Sequence, residues 1–202
     1  MKKLASFSFL LIFICYSSFA QSNSPVKEMN MFLSKNVKYP KEARLNEETG
    51  NITLSITFDE AGYPVGEPQI YGGDKSLSEE VLRTFDLLKA NWNPEFLDGK
   101  TPGEEYLMNF EFHLQKGKDL VSNPLEKYKK EKPVDPLVKL NKEIEKNPFA
   151  SKLYMDRAEY FAMIGENWKS KLDYNQAKFL KDQEITNIVI VGYGPIYSPK
   201  SL

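Results

Sequence analysis

Two stretches of the chain switch between apolar and polar residues at every step. In Asn51–Asp59, the residues Ile52, Leu54, Ile56 and Phe58 take one side, and Asn51, Thr53, Ser55, Thr57 and Asp59 the other. In "EYLMNFEFHL", Tyr106, Met108, Phe110, Phe112 and Leu114 take one side, with Leu107, Asn109, Glu111 and His113 opposite. A period of two sends successive side chains to opposite faces of a strand, so each run reads as a strand with one face on a core and the other solvated. Asp59-Glu60-Ala61-Gly62 supplies a turn after the first run, with Gly62 free to take positive φ. The return segment, residues 63–71, carries Pro64 and Pro68. Proline cannot donate to a ladder, which assigns this strand to a sheet edge.

A helix separates these strands. Ser76 and Glu79 have the spacing of a capping box, and Leu77, Val81, Leu82, Phe85 and Leu88 form one apolar stripe. Pro94 ends the helical pattern near Asn91. The expected fold is α+β: a small antiparallel three-stranded sheet with helices on one face. The proline-bearing strand takes one flank of the first strand. The 105–114 strand takes the other, which leaves its far edge free.

The ordered set of landmarks carries a resemblance. Tyr39-Pro40 with Ala43, Gly50 before a strand ending Phe58-Asp59, Gly62, the helical residues 82–85, Trp92 with Pro94, Gly99-Lys100 and a closing F-x-F-x-L together resemble the TonB C-terminal domain family over about residues 29–115. The resemblance implies a non-enzymatic protein-binding module. Its partner is a protein or peptide, an extended TonB-box segment of an outer-membrane transporter, which adds as a strand to the last strand's free edge. On that reading the partner-binding residues are Tyr106, Leu107, Met108, Asn109, Phe110, Glu111, Phe112 and His113. Family members that transduce energy have a membrane anchor and a long spacer; here only residues 21–28 precede the first expected helix, a reach of about 28 Å. A membrane-anchored energy transducer is therefore the second reading.

Beyond residue 115 the composition changes. Residues 116–135 are lysine-rich, with two prolines and no clean period, and read as a linker. Asp135 and Pro136 are suited to start a helix with the stripe Leu137, Leu140 and Ile144. Residues 151–184 resemble one 34-residue tetratricopeptide repeat, with Tyr154, Ala158, Phe161, Tyr174 and Ala177 at signature positions and Gly165 at the turn. A short all-helical unit over 136–184 is expected. One repeat cannot bury its own faces, so it must pack on something else.

The tail, residues 185–202, contains "NIVIVGYGP". Ile188 to Val191 are apolar on both faces of any strand they form, and such a run left exposed invites edge pairing. It is similar to a transporter TonB-box segment, which implies that Ile188, Val189, Ile190, Val191, Gly192 and Tyr193 pair with the free edge of 105–114, in the same chain or a neighbour's.

The N-terminus, "MKKLASFSFLLIFICYSSFAQS", has two lysines, an apolar stretch and small residues up to Ala20. It reads as a secretory signal peptide over 1–20, and Ile14 before Cys15 argues against lipidation. The rival is an uncleaved anchor, the sole route by which this chain would meet a membrane. Cleavage leaves residues 21–202 in the periplasm without a cysteine. A net charge of −1 gives no reason to expect nucleic acid. No catalytic constellation, metal-ligand cluster or cofactor motif stands out. The one histidine, His113, has no cysteine or patterned serine to serve.

Overall fold

A computed structural model of the chain describes residues 24–115 and 135–194. The signal peptide expected over 1–20 and all but the last residue of the expected 116–135 linker lie outside the described residues. Helix α1 (Pro25–Asn36) begins with proline at its first turn and buries Met29 and Leu33, four residues apart on one face. A short α2 (Lys41–Leu45) buries Ala43. Strand β1 (Gly50–Phe58) turns through Gly62, at φ 81°, into β2 (Pro64–Tyr71). Helix α3 (Lys75–Lys89) and a 3-10 turn at Pro94–Leu97 lead to β3 (Glu105–Gln115). Then follow α4 (Pro136–Lys146), α5 (Ser151–Met163), α6 (Asn167–Gln183) and β4 (Glu184–Tyr193).

The sheet order is β2-β1-β3-β4. Strand β1 is antiparallel to both neighbours, and β2 occupies an edge, as its prolines require. The ladder between β1 and β2 shifts register after Ser55, opposite the segment holding Gly66 and Pro68, so the proline sits where pairing is already broken. The sheet has four strands rather than the expected three, because the tail adds β4 along β3.

One face carries the main core. Ile52, Leu54, Ile56 and Phe58 from β1 and Met108, Phe110 and Phe112 from β3 meet Met29 and Leu33 of α1 and Leu77, Val81, Phe85 and Leu88 of α3. Each fully buried side chain of this kind contributes roughly 1.5–3 kcal/mol relative to exposure. Helix α3 starts one residue ahead of Ser76, after Asp74, so the expected capping box does not form. The Ser76 hydroxyl instead donates to Glu48 at 2.6 Å.

Helices do not lie on one face alone, which corrects a second expectation. The α4–α5 junction covers the opposite face. Asn147 Nδ2 donates to Asn51 O and to Thr53 Oγ1, both at 3.0 Å, and the Phe149 ring packs on Tyr71 at 4.4 Å between centroids. Leu107, Asn109 and Glu111, expected to be solvated, are buried there; His113 remains exposed.

Asp135 caps α4, its carboxylate accepting from Leu137 N at 2.9 Å. Helices α5 and α6 form a hairpin that turns at Gly165, φ 81°. Within it Ala158, Ala177 and Leu180 are buried, Tyr154 and Phe161 are half-buried, and Tyr174 is exposed. Arg157 reaches Asp173 at 2.6 and 2.8 Å and Asn141 at 2.8 Å, tying all three helices. Among the described residues no helix is long and apolar enough to cross a membrane.

Candidate protein-binding edge

Every residue named for partner binding, Tyr106 to His113, lies in β3, and the edge they form is occupied. Strand β4 runs parallel to it, from Met108 opposite Thr186 to Gln115 opposite Tyr193, with one register shift after the Leu107–Glu184 pair. Gly194 N extends the pairing to Gln115 O at 3.2 Å. The far edge is therefore not free: the same chain supplies the strand, and it starts at Glu184, four residues before Ile188.

A parallel neighbour needs a long return connection. Helix α6 provides its last leg, since Gln183 ends the helix and Glu184 begins the strand with no loop between. Lys100 Nζ donates to the Asp182 carbonyl at 2.7 Å, satisfying a helix-end acceptor and tying the end of α6 to the loop before β3. Glu184 is buried, held by the Ser151 hydroxyl and by Lys181 Nζ at 2.6 Å.

The two faces of β4 have different fates. Ile185, Ile188 and Ile190 join the main core, and Thr186 meets Asn30 of α1. On the other face Val189, Val191 and Tyr193 are each more than half exposed, opposite Glu111, His113 and Gln115. Asn187 Nδ2 donates to Glu111 Oε1 at 2.6 Å, and His113 Nε2 lies 3.3 Å from Glu111 Oε2. A half-buried edge strand thus explains a run apolar on both sides only in part.

The family-motif residues sit around this edge and around the β1–β2 turn. The Tyr39 ring meets Phe112 edge-on at 5.3 Å and lies against Gly192, and its hydroxyl donates to Glu48 O. Burial, with Glu48 nearby, raises its phenol pKa. Pro40 opens α2, which buries Ala43. Gly50 begins β1, and Gly62 O accepts from Trp92 Nε1 at 2.8 Å. Trp92 packs on Phe58 and Phe96, Pro94 starts the 3-10 turn, and Gly99 follows at φ 79°. Lys100 crosses the Tyr106 ring at 5.3 Å.

Asn51, Thr53, Asn147, Ser151 and Glu184 were not expected to matter, yet they form the polar seam between sheet and helices. Thr53 Oγ1 donates to Asn109 Oδ1 at 2.6 Å within it. The sequence signal was the polar face of each alternating strand, which looks the same whether water or polar side chains cover it. Among the described residues no group of three or more His, Cys, Asp or Glu could hold a metal ion.

Residues 35–114 match the family model described as the Gram-negative bacterial TonB protein C-terminal. The match runs from the end of α1 to the end of β3, and α4 to β4 fall outside it. No curated protein matches the chain, and no solved structure does. Domains of the matched family are non-enzymatic and serve protein interaction.

Proposed function

We propose that this chain, whose residues 35–114 match the TonB C-terminal family, is a periplasmic protein-interaction module whose strand-accepting edge is held closed by its own tail. A partner enters by replacing β4 along β3. The partner chemistry is an extended, β-branched-rich peptide, with the TonB-box segment of an outer-membrane transporter as the best fit. The helical unit, tetratricopeptide-like in its signature positions, carries the tail to that edge.

The observation behind this reading is the parallel ladder between β3 and residues 184–193. Strand addition takes affinity from backbone hydrogen bonds, which any extended segment can offer, and selectivity from the pockets for alternate side chains. The inward pockets filled by Ile188 and Ile190 accept another β-branched pair. The competition is intramolecular, so every 1.4 kcal/mol favouring the cis strand weakens a partner's apparent affinity about tenfold.

The test is a tether. The secreted chain contains no cysteine after Cys15, so His113→Cys with Val191→Cys, exposed and paired in register, would lock β4 in place. Binding of a TonB-box-type peptide should vanish in the oxidised protein and return on reduction. Removal of residues 185–202 should raise affinity above that of the intact chain. Equal binding by the oxidised and reduced proteins would refute the displacement reading.

A further inference from the structure

Helix α6 has two apolar faces, and only one is used. Asp173, Ala177 and Leu180 are buried against the rest of the molecule. Trp168, Leu172 and Phe179, at i, i+4 and i+11, fall within about 40° of one another on the helical wheel, with their centre about 130° around the helix from that of the buried face. They are 63%, 59% and 57% exposed. Met163 and Ile164, at the end of α5 just before the turn, are exposed as well. An exposed apolar ridge of this length on a helix that is already packed marks an interaction surface.

Charge selects the occupant. Lys171 and Lys178, seven residues apart, flank the ridge on one side, and neither has an ion pair among the described residues. Lys169, on the other flank, is partnered by Glu166 at 3.3 Å. The acidic groups of α6 are Asp173, buried and paired with Arg157, and Asp182, beyond Phe179 at the helix end. A second copy laid antiparallel on the ridge would bring these lysines against their own counterparts, a like-charge arrangement. We infer that the outer face of α6 docks an amphipathic helix of another protein, one whose apolar ridge is flanked by aspartate or glutamate side chains positioned to meet Lys171 and Lys178. This surface is separate from the β3 edge and does not depend on how that edge is used.

The experiment uses the intact secreted chain and two synthetic helical peptides. Both carry leucines at i, i+4, i+7 and i+11; one has glutamates on the flank and the other lysines. Fluorescence anisotropy should give at least about tenfold tighter binding of the glutamate peptide. Lys171→Glu with Lys178→Glu should reverse that preference, and Trp168→Ser should weaken both peptides. Far-ultraviolet circular dichroism should be unchanged in each variant, since all three side chains are exposed. Equal binding of the two peptides, or an unchanged preference in the double variant, overturns the inference. So does concentration-dependent self-association abolished by Trp168→Ser, which would make a second copy the occupant. Binding to anionic phosphatidylserine vesicles with no affinity for either peptide would overturn it in favour of a lipid surface.

Discussion

Tyr39 and Gly192 are in direct contact: the ring lies so close to the glycine that a Cβ there would collide with three ring carbons. The ring has little freedom to retreat, because its hydroxyl is bonded to Glu48 O and its edge meets Phe112. A residue of the family-like segment thus sets which residue the tail can carry at the position facing it. Gly192 is not among the positive-φ residues, so alanine there meets a packing problem and no backbone strain. Gly192→Ala should cost about 1–3 kcal/mol by overpacking, measured by denaturant unfolding. It should also raise amide exchange in 108–114. Gly194→Ala is the control: the nearest atom to its Cβ is Leu114 Cδ2 at 3.4 Å, and it should be near neutral.

Asn147 is the peg between the helical unit and the sheet. It is buried, donates to Asn51 O and Thr53 Oγ1, and accepts from Phe149 N at 3.2 Å. Asn147→Ala leaves those groups without their partner at a buried site and should cost roughly 1–3 kcal/mol. Limited proteolysis should then cut first at the α4–α5 junction. Cleavage distributed as in the parent protein would show that the peg is dispensable.

Removing Arg157 leaves the Asp173 carboxylate buried without its counter-charge. Arg157→Ala should therefore lower stability by about 3 kcal/mol, seen as an earlier thermal transition. Replacing both partners, Arg157→Met with Asp173→Leu, should recover most of that loss, because the burial penalty goes with the charges. A double variant no better than the single one would mean that the hydrogen bond to Asn141 carries the effect.

Acid should loosen the joint between α1 and α3. Burial opposes ionisation of Glu80, but hydrogen bonds from Arg83, Lys38 N and Thr84, together with the Arg83 charge, outweigh it and hold its pKa below the ordinary glutamate value. A carboxylate with a lowered folded pKa contributes stability that is complete above the unfolded pKa. That contribution is lost as pH falls through the folded one. The stability gap between the parent and Glu80→Gln should thus be widest near neutral pH and close below the ordinary glutamate range. Denaturant titrations across that range measure it, and a gap independent of pH would refute the assignment.

Much of this architecture was legible in the order of residues. Strict alternation identified β1 and β3, and it named most of the side chains that share the core, Leu114 being only half-buried. Pro64 and Pro68 put β2 at an edge, because a missing N–H is tolerated only there. Asp135 with Pro136 marked the start of α4. These signals are local: each depends on the chemistry and spacing of a few neighbouring residues.

What lies against each face and edge was decided only in three dimensions. Period-two alternation says which side chains travel together, but a polar face meant for water and one meant for Asn147 look identical in sequence. The capping-box spacing of Ser76 and Glu79 lost to a nearer acceptor, Glu48, 28 residues away. Strand pairing is the extreme case. Backbone donors and acceptors are the same in every residue but proline, and 184–193 contain none, so their backbone carries no code for β3. The choice is made by α6, whose end is held by Lys100, by the inward pockets for Ile188 and Ile190, and by the Tyr39 ring over Gly192. Which segments become strands and helices is written in the spacing of apolar residues along the chain. Tertiary structure decided that the tail closes the β3 edge, because that depends on where the whole fold delivers it.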